Sequence, residues 1–159
     1  MAGGGIDVVS VLRSTDLFRN FTDTGLQIMA SVAELKEIPP QTPLFVENMI
    51  GDSMYVIAEG RVRLAVRSPD GRELRLASLA APATLGEAAL LRSGPRLCSA
   101  TAEVHATVLE FSRKDIAGLQ RSKPQAVMKL MMAVVDTVGD RVRNLDADLR
   151  EFLSWRAGG

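Results

Sequence analysis

The stretch LGEAALLRSGPRLCSAT, Leu85 to Thr101, decides how the rest of the chain is read. It sets a carboxylate, Glu87, nine residues before a guanidinium, Arg96, among mostly small or apolar residues. Gly86 permits a sharp turn, and Glu87 to Leu91 can form a short helical piece whose first N–H groups lack intrahelical partners. N–H groups so placed favour an anion, above all a phosphate. The RSGP turn then returns Arg96 to the same place, with a planar fork matched to phosphate oxygens. Glu87 only accepts hydrogen bonds when ionised, so it needs hydroxyl donors, and a ribose 2′-OH supplies one. Small Ala88, Ala89 and Cys98 let the backbone come close. The spacing equally permits a second reading, a buried Glu87–Arg96 salt bridge at a sheet corner.

On either side of this stretch, residues 36–112 carry the strand pattern. SMYVIA, RVRLAVR, RELRLASL and ATVLEF alternate apolar and polar, which suits strands with one buried face. PPQTP, AEG, SPDG and APATLG punctuate them as turns. RVRLAVRSPDGRELRLASL reads as a hairpin turning at Pro69, Asp70 and Gly71. About eight short strands in roughly 80 residues imply a barrel or jelly roll.

Helices flank the strands. In residues 6–35, Leu12, Leu17, Phe18, Phe21, Leu26, Ile28, Met29 and Val32 recur at helical spacing. Ser112 is placed to cap a helix that starts with RKD, with Asp115 near its positive end. Ser122, with Gln125 three residues on, predicts a second start. From there an apolar stripe runs through Val127, Leu130, Met131, Val134, Val135, Val138, Val142, Leu145, Leu149, Phe152 and Leu153. Gly139 interrupts it, as either a bend or a close helix crossing, since glycine costs about 1 kcal/mol there. The expected fold is α+β and mainly β. A jelly-roll barrel over 36–112 lies between N-terminal helices and a long C-terminal helix within 113–156, all in a single domain, 1–159.

Composition narrows the function. Lys plus Arg and Asp plus Glu both total 19, so the formal charge is zero, against the cationic surplus that bulk nucleic-acid binding needs. The one cysteine, Cys98, cannot form an internal disulfide, and a reducing, cytoplasmic setting is expected. The start, MAGGGIDVVSVLRS, has neither the basic region nor the apolar run of a secretory signal, and it lacks a myristoylation glycine directly after Met1. No run reaches the roughly 18 apolar residues of a membrane span. His105 is the only histidine, too few for a multi-imidazole metal site, and fits a plain strand position. Cys98 has no second cysteine or nearby histidine to make it a nucleophile or ligand. No Walker lysine follows a glycine-rich loop. No enzyme, metal or cofactor is expected.

The chain resembles the cyclic nucleotide-binding domain family over about residues 15–155. That family's phosphate-binding cassette reads roughly Phe-Gly-Glu-x-Ala-Leu, a few residues, then Pro-Arg-x-Ala-Thr. Here it stands as LGEAALLRSGPRLCS. A second signature appears as GDSMYVIAEGRVRL, Gly51 to Leu64. The resemblance implies that Glu87 holds the ribose 2′-OH and Arg96 pairs with the cyclic phosphate. Backbone amides of Ala88, Ala89 and Leu97 complete the cradle, Gly86 permits the turn, and Ser99 helps order the cassette. Four positions depart from the pattern: Asn48 and Gln41 stand where turn glycines are common, Leu85 replaces an aromatic, and Cys98 replaces an alanine. None touches a charged contact. Leu97 lacks the hydroxyl with which cGMP-selective relatives meet the guanine amino group, so cAMP is expected ahead of cGMP.

The resemblance also implies a regulatory output. No helix-turn-helix follows Trp155 in this sequence, so direct DNA binding is not expected, nor is a membrane association. The expectation is a stand-alone sensor that passes cAMP binding through its C-terminal helix to an unidentified downstream protein. Phe152 or Trp155 would cap the base, and the narrow stripe after Gly139 would form a homodimer seam. The alternative is a ligand-free or cyclic-dinucleotide-responsive module that dimerises or docks through that helix.

Overall fold

A computed structural model describes residues 5–157, with the side chains of 146–148 and 150–157 outside the description. Helix α1 (Val8–Arg13), a 3-10 turn at Asp16–Phe18 and helix α2 (Asp23–Ala30) lead into the strands. Asp7 and Thr22 cap the two helices, each accepting a backbone N–H from the first turn. The strands are β1 (Glu34–Ile38), β2 (Pro43–Phe45), β3 (Ile50–Gly51), β4 (Ser53–Glu59), β5 (Arg61–Arg67), β6 (Glu73–Ala80) and β7 (Ala83–Leu85). Helix α3 (Ala88–Leu91) interrupts them before β8 (Gly94–Pro95), β9 (Ser99–Ala102) and β10 (Ala106–Ser112). Helices α4 (Arg113–Ser122) and α5 (Pro124–Ala157) close the chain.

Two antiparallel four-stranded sheets, β1-β10-β4-β7 and β2-β9-β5-β6, face each other, and β3 pairs with β8 beside them. This is the jelly roll that the strand pattern predicts. The β5–β6 hairpin turns where expected. Gly71 takes φ +87°, and the Ser68 and Arg72 backbones close the turn at 2.8 Å.

In sheet β1-β10-β4-β7 the central strands β4 and β10 are sandwiched, not half-exposed. Ser53–Ile57 and Ala106–Leu109 are buried at every position, which corrects the expectation of one buried face for these strands. Tyr55, Ile57 and Val108 point between the sheets with Val62, Leu85 and Ala100. Met54, Val56, Leu109 and Phe111 point the other way, into a second core with Leu12, Phe18, Leu26, Met29, Ile116, Leu130 and Val134 of the helical cover. Phe18 meets Phe111 at 5.9 Å between centroids, and fully burying each such ring contributes about 1.5–3 kcal/mol.

Two helix boundaries shift from expectation. The N-terminal helical stretch ends at Ala30, and β1 begins at Glu34, so residues 34 and 35 are strand. The second C-terminal start falls at Pro124, which places Lys123, not Ser122, before the helix. Ser112 does cap α4, accepting from the Asp115 amide at 3.1 Å. Helix α5 runs unbroken past Gly139, where an added Cβ would meet nothing within 4 Å.

Candidate functional site

The β3–β8 ladder positions Arg96. Ile50 pairs with Pro95 and Gly51 with Gly94, after which the Arg96 amide donates to Met49 O and the Asn48 amide to Arg96 O, both at 2.8 Å. Asn48 makes this clamp from the left-handed region, φ +69°. Gln41 adopts φ +60° at the other position where a turn glycine is common. Both departures keep the glycine's backbone.

The Arg96 side chain lies 8% exposed beneath this ladder. Its guanidinium carbon sits 4.2 Å from the Phe45 ring centroid, and Nη2 donates to Ser53 O at 2.7 Å. Gly51 and Gly86 make room for it: a Cβ at Gly51 would fall inside the guanidinium, and one at Gly86 would lie 2.7 Å from Nη1. Arg96 Nε is buried and has no hydrogen-bond partner among the described residues. A cation held this way has donor capacity left for an incoming anion.

Glu87 enters from the opposite strand. Strand β7 ends at Leu85, Gly86 turns at φ +75°, and Glu87 sits at the mouth of α3, 1% exposed. Arg141, from α5, grips its carboxylate with two bonds, Nη1 to Oε2 at 2.6 Å and Nη2 to Oε1 at 2.8 Å. The Thr84 hydroxyl also donates to Oε1. Among the described residues, Glu87 and Arg96 are therefore not paired with each other, and the salt-bridge reading of their spacing is not realised.

The other expected site residues fall around these two. Leu85 is buried in the inter-sheet core, and Ala89 is buried while Ala88 is exposed. The Ala89 amide is already bonded to Gly86 O at 3.1 Å. Leu97 stands 87% exposed beside Arg96. Ser99 Oγ accepts from the Glu47 amide at 2.9 Å, tying β9 to the loop that carries Asn48. Burial, then the charge of Glu47, pushes the Cys98 thiol up and keeps it protonated at neutral pH. Phe152 and Trp155 lie outside the residues whose side chains are described.

Behind the cassette, Tyr55 donates to Glu110 at 3.0 Å, and Glu110 also bonds Lys36. Burial, then the negative Glu110, pushes the Tyr55 hydroxyl up to about 12. Burial alone would raise Glu110, but bonds from Lys36, Ser53 and Tyr55 together bring it below the ordinary range.

Sequence reasoning missed Arg141, Thr84, Phe45 and Ser53. Thr84 carried a usable signal, a hydroxyl three residues before a carboxylate across a turn. Arg141 carried none, because its partner is 54 residues away and its helix holds several other arginines.

Two facing sheets, a helical cover and this cassette define a jelly-roll ligand-binding domain. The chain belongs to the cyclic nucleotide-binding domain family, whose profile matches residues 35–123. It is 28% identical to the cyclic AMP receptor protein of Thermus thermophilus over 145 residues, 91% of this chain and 66% of that protein. It is 24% identical to a CRP-like cAMP-activated global transcriptional regulator of Mycobacterium tuberculosis over 139 residues, 87% of this chain and 62% of that protein. Thus it spans just under two thirds of the length of these curated relatives. The N-terminal domain of a transcriptional regulator from Streptomyces coelicolor superposes with a TM-score of 0.74 at 29% identity, covering 87% of this chain and 94% of that one. Among the described residues, no helix is long and apolar enough to cross a membrane.

Proposed function

We propose that the chain is a cAMP sensor whose cassette takes the cyclic phosphate on Arg96 and the ribose 2′-OH on Glu87. The observation that carries this reading is Arg96 itself. A buried guanidinium with an unpartnered Nε, bedded between two glycines and an aromatic ring, is costly unless an anion completes it. In this reading the Ala88 and Leu97 amides complete the phosphate cradle, as the family resemblance implies. The preference for cAMP over cGMP is supported by Leu97, which has no hydroxyl to offer a guanine amino group, and by the two relatives named for cAMP.

Signal transmission is assigned to α5, because Arg141 joins that helix to the carboxylate proposed to hold the sugar. Any ligand that engages Glu87 must share it with, or release it from, Arg141. The same helix presents Met128, Met132, Val135, Val142 and Leu145 to solvent, each more than half exposed and spaced by three, four and seven. That stripe, with open space at Gly139, supports a homodimer seam in which a second helix crosses near the glycine. A cytoplasmic setting is part of the proposal and is supported by the single cysteine.

Displacement of a fluorescent cAMP analogue tests the ligand. Unlabelled cAMP should compete at lower concentration than cGMP, and the reverse order would overturn the assignment. Sedimentation with and without cAMP tests the seam, where a monomer in both conditions would remove it.

A further inference from the structure

Glu87 has three side-chain torsions, and a ribose hydroxyl meets its carboxylate only if one arrangement is held. Thr84 is placed to hold it. Its hydroxyl donates to Glu87 Oε1, while its carbonyl accepts Arg141 Nη2 at 3.2 Å, so one residue anchors both sides of the ion pair. The Thr84 backbone is fixed in turn, opposite Val56 in the β4–β7 ladder, and a β-branched side chain has little χ1 freedom.

The acceptor count gives this arrangement a consequence. Among the described residues, Oε1 takes two donors, the Thr84 hydroxyl and Arg141 Nη2, whereas Oε2 takes one, Arg141 Nη1. Each carboxylate oxygen has two lone pairs, so Oε2 retains one. We infer that Thr84 is a positioning residue for sugar recognition, turning the Glu87 carboxylate so that Oε2 presents its open lone pair to the ribose 2′-OH. Thr84 touches no ligand in this scheme. It acts through Glu87, and the inference rests on the sensor reading above.

Thr84→Val keeps the branched shape and removes the donor, and Thr84→Ser restores the donor. The Val variant should weaken cAMP about tenfold, the worth of one hydrogen bond to a charged group. It should leave 2′-deoxy-cAMP, which has no hydroxyl to place, within about twofold of wild type, a margin well under one hydrogen bond. Ser should recover most of the loss. Equal weakening of both nucleotides, or an unchanged ratio between them, would overturn the role. A second arm needs no ligand. Thr84→Val should lower the urea midpoint of the wild-type chain but not of a Glu87→Met chain, and equal losses in both backgrounds would show that Thr84 does not act through Glu87. If the wild-type chain bound neither nucleotide, the sensor reading would fall and the sugar role of Thr84 with it. The second arm would still decide the Thr84–Glu87 coupling.

Discussion

Replacing Arg96 with alanine separates what the side chain does for the fold from what it does for a ligand. In the free protein it gains a desolvated cation–π contact with Phe45, about 1–2 kcal/mol, and a charge-assisted bond to Ser53 O, about 1.5–3 kcal/mol. Against these stands the buried, unpartnered Nε, which costs about 1–3 kcal/mol and disappears with the side chain. The penalty offsets roughly half of the gains, so urea unfolding of Arg96→Ala should fall about 2 kcal/mol below wild type. Binding should not offset. A cyclic phosphate left without the counter-charge of Arg96, a residue only 8% exposed, loses about 3–5 kcal/mol, roughly a hundred- to a few-thousand-fold in affinity. The assay pairs urea unfolding with titration of a fluorescent cAMP analogue on the same preparation. A folded variant that binds within about threefold of wild type, far less than one charged contact, would refute the argument. So would a variant that unfolds yet, once stabilised by other means, binds normally.

Arg141→Ala should cost about 1–3 kcal/mol in urea unfolding, because Glu87 is buried while Arg141 is 53% exposed and water can partly replace it. A loss too small to measure would mean that α5 is not tied to the cassette through this pair. Tyr55 is the only tyrosine, so tyrosinate absorbance reads it alone. Its folded value, about 12, lies above the ordinary 10.0, so its contribution to stability is complete below pH 10 and is lost as pH rises through about 12. The native chain should titrate near 12 and the urea-unfolded chain near 10, and a native midpoint at the ordinary value would contradict its packing against Glu110.

The β5–β6 hairpin was legible because alternation and the SPDG turn agree, and each is local. The helical pattern overran into β1 because Ile28, Met29 and Val32 continue the three- and four-residue spacing although Val32 sits in a turn. Strand β4 looked one-sided because Ser53 and Tyr55 are polar by type. The structure buries both, Tyr55 by giving its hydroxyl to Glu110. In the cassette, Glu87 and Arg96 could be named because their spacing is local, but their partners could not. Phe45, Ser53 and Arg141 reach them from strands β2 and β4 and from helix α5, contacts that exist only once the sheets have closed.

Calorimetric titration of the purified chain with cAMP, beside 2′-deoxy-cAMP and cGMP, decides whether the cassette is a cAMP site. One cAMP site per chain is expected, with both analogues weaker: the first because Glu87 has no hydroxyl to accept from, the second because Leu97 offers the guanine amino group nothing. Saturable binding in which cAMP and 2′-deoxy-cAMP are equal would take the sugar away from Glu87, and no saturable heat with any of the three would contradict the sensor outright.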